Sequence, residues 1–310
     1  SYLSPTGAYV LYFNREKGQW FSYDIVKGTS ICLNENLPVN FADEENDSPN
    51  LPSSYGIAGW SADGKGVYLN DRYDIWYFDL NGKDKKLITN GQGRIQGLTF
   101  RYIPLQKTRN PRYQTPLIDA KSQLFLSTFD NTTKFNGLYT AAAGKSSKPK
   151  ELFLTADSYK QFVASADALT FAYTKENYSL SPNVYSNEKF QNEKQLSFIN
   201  TQQQSINWGT AELIQWTTPA GHKAQGILYK PENFDPQKKY PIIAYFYEKL
   251  SDGLYSYHAP APTPSRLNIP YFVSNEYLVF VPDIHYEIGY PGKSAEEYVN
   301  SGMTYLSTFP

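Results

Sequence analysis

The chain has 310 residues, a formal net charge of −1 and 16% aromatic residues. Its length suffices for one large or two ordinary domains with a sizeable core. The near-neutral charge argues against a nucleic-acid or anionic-membrane partner, a single cysteine excludes an internal disulfide, and no stretch approaches the roughly 20 apolar residues of a membrane helix.

A weak repeat occupies the first two thirds of the chain. Each copy has a polar turn, a strand, a short gap and an aromatic strand. The second copy begins at Ser61-Ala62-Asp63-Gly64, where the Asp can bond its own backbone and the Gly tolerates positive φ. The predicted strand pairs are residues 8–12 with 20–24, 66–69 with 75–79, 124–126 with 137–139, and 170–173 with 183–185.

Repeats of about 40–60 residues with several strands each are typical of β-propeller blades. The alternative is a β-sandwich whose turns look alike, but the turn and the aromatic strand recur in the same order four times. We therefore predict about four all-β blades over residues 1–205. Four is the low end of the known range of propellers, so we expect further blades upstream of Ser1.

The pattern changes near Ile206. Strands alternate with helices from here, which predicts a mostly parallel, buried sheet over residues 206–310. The motif Ser294-Ala295-Glu296-Glu297 predicts a capping box at the start of a helix. The predicted strands are residues 212–216, 225–229, 242–246 and 278–281, with a helix within 265–275.

The segment 212–300 also resembles a known family. Residues 221–231 read G-H-K-A-Q-G-I-L-Y-K-P and residues 234–241 read F-D-P-Q-K-K-Y-P. With V-P-D at 281–283 and G-Y-P-G at 289–292, these motifs resemble the prolyl oligopeptidase family of serine peptidases, which includes dipeptidyl peptidase IV. The resemblance implies that residues 206–310 are the N-terminal part of an α/β-hydrolase catalytic domain. It also implies peptide substrates, a Ser-Asp-His triad, an acyl-enzyme and no cofactor.

The nucleophile elbow of that family, G-x-S-x-G, does not occur in the 310 residues. The sequence Gly292-Lys293-Ser294-Ala295-Glu296 comes nearest, but its fifth residue is Glu. We therefore expect a fragment that stops before the nucleophile and is inactive by itself. The alternative is a non-catalytic propeller scaffold, binding peptides or proteins, with a degenerate hydrolase remnant. Cleavage specificity and compartment stay open; the composition is compatible with a bacterial periplasm or cytoplasm.

Tyr247 is the catalytic candidate. Counted from Pro241, it falls on the position at which the family carries an oxyanion-hole tyrosine, whose phenol donates a hydrogen bond to the tetrahedral intermediate. Tyr245, one pleat period earlier, is the competing candidate, and a packing role is the alternative for both. The family often has Gly after this Tyr, whereas Glu248 follows here.

The substrate-binding candidates are weaker. Glu44 and Glu45 superficially match the propeller Glu pair with which dipeptidyl peptidases hold a substrate amino terminus, although a solvated acidic loop is the simpler interpretation. His285 is a candidate cavity-lining group with a structural alternative. Asp71-Arg72-Tyr73-Asp74 is read either as a cavity lining or as a charge network that stabilises a blade. Three scattered histidines predict no metal site.

The family's sheet order, 1-2-4-3-5, implies one more feature. Residues 242–246 would be the third strand and residues 278–281 the fourth. The outer edge of the third strand would then be open, and an open edge pairs readily with another chain. We therefore expect edge-strand pairing, either in a homo-oligomer or with the remainder of a longer polypeptide.

Overall fold

The structure of the protein is a computed structural model that describes residues 1–105, 115–262 and 264–309. It divides into two compact units, of which the first contains Ser1–Thr132 and Asn136–Thr155. The second contains Thr133–Phe135 and Ala156–Pro310. The chain is mostly β in both units.

The first unit contains three sheets, each built around a four-stranded antiparallel meander. The sheet orders are β1-β2-β3-β4, β10-β5-β6-β7-β8 and β13-β12-β11-β9, and β10 pairs in parallel with β5. One short helix, α1 (Gln92–Gln96), precedes β9. The strands are β1 (Tyr2–Leu3), β2 (Tyr9–Asn14), β3 (Gln19–Asp24), β4 (Thr29–Cys32), β5 (Ile57–Ser61), β6 (Gly66–Asn70), β7 (Ile75–Asp79), β8 (Lys85–Leu87), β9 (Leu98–Tyr102), β10 (Leu117–Ile118), β11 (Gln123–Asp130), β12 (Asn136–Ala142) and β13 (Lys150–Thr155).

Aromatic side chains fill the space around these sheets. One buried cluster contains three tryptophans, Trp20, Trp60 and Trp76, with Phe41 and Phe78. Phe41 lies on the long connection between β4 and β5 and contacts Phe78 edge-on, with ring centroids 5.7 Å apart. The aromatic strands of the repeat thus supply the core, as expected of large side chains on pleated surfaces.

The second unit contains a fourth meander, β14-β15-β16-β17, and a mixed sheet in the order β18-β19-β21-β20. In the mixed sheet β18, β19 and β21 are successively antiparallel, whereas β20 and β21 are parallel. Two helices, α2 (Ile269–Ser274) and α3 (Pro291–Leu306), flank β21 in the sequence. The strands are β14 (Ser158–Ala164), β15 (Thr170–Glu176), β16 (Asn183–Glu188), β17 (Asn192–Gln195), β18 (Thr210–Thr217), β19 (Lys223–Lys230), β20 (Ile242–Ala244) and β21 (Leu278–Pro282).

These elements confirm the repeat and the strand order predicted from sequence. All eight repeat strands form, in four meanders consistent with propeller blades. The four later strands also form, with the fourth strand between the second and the third. The expectation of a mostly parallel sheet is wrong, because only β20 and β21 are parallel and the other two pairs are antiparallel. The connection between β18 and β19 is too short for the crossover that a parallel pair needs.

Two boundaries differ from the prediction. The capping box at Ser294 is wrong, because α3 begins at Pro291 and its N-cap is Tyr290. Proline suits this first position since it has no N–H to satisfy there. Ser294 lies inside the first turn, where its hydroxyl donates to the Tyr290 carbonyl (3.1 Å) and accepts from the Glu287 amide (2.9 Å). β20 ends at Ala244, two residues earlier than expected.

The polar turn of the repeat is reproduced bond for bond in two blades. Ser61 Oγ accepts from the Gly66 amide (2.7 Å) and donates to Asp63 (2.6 Å), whose carboxylate accepts from the Lys65 amide (3.0 Å). The same three bonds recur at Ser165, with distances of 3.0, 2.5 and 3.1 Å. Side-chain oxygens thus satisfy the backbone donors that the turn leaves unpaired.

None of the helices in the described residues is both long enough and apolar enough to cross a membrane.

Replacing Ser61 with Ala tests the turn. Ser61 is 5% exposed, so the Gly66 amide would lose its acceptor where water does not replace it. We expect a loss of about 1–3 kcal/mol in the free energy of unfolding, measured by denaturant titration. Ser165→Ala is the matched control, because its turn is exposed and water can take over the bond. Equal losses in both variants would contradict this account.

Candidate functional site

The candidate site lies at one edge of the mixed sheet. β20 and β21 are parallel, with Ile242 opposite Leu278 and Ala244 opposite Phe280. Their carboxyl ends therefore meet at the same edge, and the loops 245–250 and 283–290 leave the sheet side by side. Ligands of open α/β sheets bind outside the carboxyl ends of the strands. This edge is therefore the candidate binding site of the mixed sheet.

Tyr247 presents its side chain to solvent at this edge. It is 76% exposed, three residues after the end of β20. Tyr245 instead packs against a buried cluster, and its amide donates to the Phe280 carbonyl at 2.9 Å. The phenol of Tyr247 is thus the more available of the two as a donor to a bound molecule.

The loop that carries Tyr247 is tied to the loop after β21 by its backbone. The Tyr286 hydroxyl donates to the Tyr247 carbonyl, and the Ile284 amide donates to the Glu248 carbonyl at 3.0 Å. Glu248 stands where the resemblance favours Gly, and it is not among the described residues with positive φ. A side chain is therefore tolerated here without backbone strain.

Two other side chains near this edge have structural contacts. His285 is exposed, and its ring centroid lies 5.7 Å from that of Tyr298 on α3. Ser294, the serine of the nearest approach to an elbow motif, is 7% exposed and has backbone partners on both sides. Ser294 is thus bound into the start of α3 rather than presented to a substrate.

Glu44 and Glu45 lie in the first unit and are paired with arginines. Glu44 receives two hydrogen bonds from Arg94, at 2.7 and 3.2 Å, and Glu45 pairs with Arg72. Both guanidinium groups lie over the Tyr73 ring, 4.9 and 5.0 Å from its centroid. The acidic pair is therefore part of an ordered charge cluster.

Asp71 and Asp74 act as structural acceptors within the blade. Asp71 accepts from the amides of Tyr73 and Asp74, both at 2.7 Å, and from Trp76 Nε1 at 2.9 Å. Asp74 accepts from the Thr89 hydroxyl and from the amides at the start of α1. Burial raises the pKa of Asp74 above its usual value, and these hydrogen bonds oppose that rise. Of the two interpretations, the structure favours the blade-stabilising one.

His258 is a half-buried histidine in the second unit that the sequence did not single out. His258 Nε2 lies 3.2 Å from the Tyr229 hydroxyl, and its ring is 6.2 Å from that of Tyr178. Burial lowers the pKa of His258, while the charge of Glu176 acts in the opposite direction. A loop histidine carries no periodic pattern, so its burial depends on contacts that sequence alone does not show.

The described ranges contain no group of three or more His, Cys, Asp or Glu side chains placed to hold a metal ion.

Comparison with known proteins supports the fold. No protein-family profile matches the chain, and no curated protein matches it. Among solved structures it is similar to a Bacteroides ovatus protein provisionally named dipeptidyl aminopeptidase IV, with a TM-score of 0.64, 14% identity and coverage of 100% of this chain and 46% of the other. It is also similar to Porphyromonas gingivalis dipeptidyl peptidase 4, with a TM-score of 0.57, 15% identity and coverage of 89% of this chain and 36% of the other. A third similar structure is the acylaminoacyl peptidase of Pyrococcus horikoshii, with a TM-score of 0.50, 14% identity and coverage of 94% of this chain and 41% of the other.

The present chain spans less than half the length of each of these proteins. At such low identity the likeness shows the fold alone: a mostly β chain with sheets consistent with propeller blades.

His258 predicts a pH dependence of stability. Because its folded pKa is lowered, the folded state favours the neutral ring. The neutral ring therefore contributes to the free energy of unfolding above about pH 6.5, the usual pKa of His. This contribution is lost as the pH falls toward the lowered pKa of the folded state. We expect the unfolding free energy of the wild type to fall more steeply over this range than that of His258→Gln. His222→Gln, at an exposed site, is the control; identical pH profiles for wild type and His258→Gln would contradict the prediction.

Proposed function

We propose that this chain is the propeller-side and oxyanion-side part of a serine peptidase that hydrolyses short peptides through an acyl-enzyme. The observation that carries the proposal is the strand order β18-β19-β21-β20 with Tyr247 at the carboxyl end of β20. That order and that position are what the sequence resemblance requires. The blade-like sheets and the solved structures of similar fold support the same assignment.

Tyr247 would act on the tetrahedral intermediate. A serine attacks the peptide carbonyl carbon, a histidine takes its proton, and the carbonyl oxygen gains negative charge. The Tyr247 hydroxyl donates a hydrogen bond to that oxygen. As the intermediate collapses, the histidine gives its proton to the departing amine, and water then hydrolyses the acyl-enzyme that remains. We assign the serine, the histidine and their aspartate partner to polypeptide outside residues 1–310.

The exposure of Tyr247 sets a condition on this role. An oxyanion donor is effective in a site from which water is excluded, where removing it typically costs about 10²–10³ in rate. Tyr247 is 76% exposed. The phenol therefore gains its full effect only when substrate and further polypeptide cover this edge, which agrees with an inactive fragment.

We further propose that residues 1–205 are propeller and residues 206–310 are the start of the hydrolase domain. The fourth meander nevertheless belongs to the same compact unit as the mixed sheet. Trp208 explains this grouping, because its Nε1 donates to the Tyr178 carbonyl at 2.6 Å and its ring stacks on Tyr257. The last blade is thus fastened to the segment that follows it.

Glu44, Glu45 and His285 remain proposed substrate contacts. For Glu44 and Glu45, an incoming ammonium group would share carboxylates that already pair with Arg72 and Arg94. The stacking of both arginines on Tyr73 would fix the direction of these carboxylates. His285, exposed at the candidate edge, would face the substrate beside Tyr247.

The proposal is tested on the longer polypeptide. A G-x-S-x-G motif, then Asp and His, is expected in the coding sequence after residue 310, and the longer protein should react with a fluorophosphonate probe while residues 1–310 alone should not. Tyr247→Phe in the longer protein should lower kcat about 10²-fold or more with little change in KM, and Tyr245→Phe is the matched control. A stop codon, or a replaced serine, would support the non-catalytic scaffold instead.

The edge of the mixed sheet carries a second proposal. The Pro241 carbonyl accepts from the Leu278 amide and the Tyr245 amide donates to the Phe280 carbonyl, both at 2.9 Å. Backbone groups alternate along a strand, so those of Ile242 and Ala244 point the other way. Among the described residues no strand pairs with that side. We propose that another strand covers it, from the remainder of the polypeptide or from a second copy.

A polypeptide of residues 1–310 alone should therefore self-associate, as measured by sedimentation velocity over a range of concentrations. Ala244→Pro removes an outward N–H and should reduce association while leaving the fold intact. Ile243→Pro is the contrasting variant, because it removes an N–H directed at β21 and should destabilise the sheet. A wild-type chain that stays monomeric at high concentration would refute pairing of this edge with a second copy.

A further inference from the structure

Asp283 is a buried carboxylate directly after β21, and it is 2% exposed. One oxygen accepts from the amides of Leu250 and Ser251, both at 2.8 Å. The other accepts from Gln225 Nε2 at 3.0 Å and from the Ser251 hydroxyl. Four donors thus converge on a single side chain.

These bonds attach the loop that carries Tyr247 to the middle of the sheet. Asp283 follows the central strand β21, and its own amide donates to the Gln225 carbonyl on β19 at 2.9 Å. Leu250 and Ser251 stand at the far end of the loop that begins after β20. With the Tyr286 bond to the Tyr247 carbonyl, the loop is held on both sides of Glu248.

The arrangement suits a side chain with two acceptor oxygens. A carboxylate is acceptor-only and offers about four lone-pair sites, which matches the four donors. Asn at this position would present an NH2 group to either the two amides or the pair formed by Gln225 and Ser251. At least one donor would then face another donor, and a buried unsatisfied group costs free energy.

We infer that Asp283 is a positioning residue that sets the location of the Tyr247 phenol. The inference rests on the proposed function for its catalytic consequence, but the anchoring of the loop does not. An oxyanion donor that moves by about 1 Å loses much of its effect. Asp283 would therefore affect the rate through Tyr247 without touching the substrate.

The kinetic test is a double-mutant cycle in the longer polypeptide. Asp283→Asn should lower kcat about 10- to 100-fold and change KM less than about twofold. Combined with Tyr247→Phe, it should add little to the loss caused by Tyr247→Phe alone, because both changes remove the same interaction. A merely structural role would give additive losses. Asp235→Asn, placed before β20 at the opposite edge, is the matched charge control and should leave kcat unchanged.

Amide hydrogen exchange in residues 1–310 tests the anchor independently of catalysis. Asp283→Asn should accelerate exchange at Leu250 and Ser251 by about tenfold or more, while the amide of Val279 in β21 keeps its protection. Unchanged exchange at both amides, or additive kinetic losses, would overturn the inference. A third outcome separates the two proposals: Asp283→Asn accelerates exchange, but the unmutated longer protein hydrolyses no peptide. This outcome would support the anchor and refute the proposed function, together with the catalytic part of this inference.

Discussion

The parallel pairing of β20 with β21 is the constraint on which the candidate site depends. Because the two strands run in the same direction, the loops that follow them leave the sheet at one edge. Tyr247 stands on one loop and Asp283 on the other. An antiparallel arrangement of the same strands would place these residues at opposite edges, and no contact between the two loops would be possible.

Buried carboxylates stabilise both units through neutral donors. Asp74 accepts from the Thr89 hydroxyl and two backbone amides, and Asp283 accepts from two amides, a hydroxyl and a side-chain amide. Such bonds are directional, so each carboxylate fixes the conformation of a connecting segment. The two sites differ in consequence: Asp74 orders the start of α1 within a blade, whereas Asp283 orders a loop with an exposed phenol.

The segment 251–258 connects the candidate edge to the fourth meander within the second unit. Ser251 is held by Asp283, Tyr257 stacks on Trp208, and His258 contacts Tyr229 on β19. At the same segment, Asp252 pairs with the buried Lys134 at 2.7 Å. The Tyr247 loop is therefore continuous with a segment that several buried side chains hold in place, and this limits its freedom to move.

The sequence by itself determined the repeat and the positions of the strands, whereas the order of the mixed sheet was expected from the family resemblance. Strand periodicity and the Ser-x-Asp turn are local properties, because they depend only on consecutive residues such as Ser61 to Gly66. The start of α3 was mispredicted because Ser294 satisfies a local capping pattern, while Pro291 and the bonds of Ser294 to Tyr290 and Glu287 place it inside the helix.

Only the tertiary structure decided the partners of the candidate residues. Three examples join residues far apart in the chain: the pairing of Glu44 with Arg94, the donors on Asp283, and the contact of His258 with Tyr229. Such contacts depend on how loops return to the sheets. The spacing of residues in the sequence does not determine where a loop packs, because a loop of given length can end at many places.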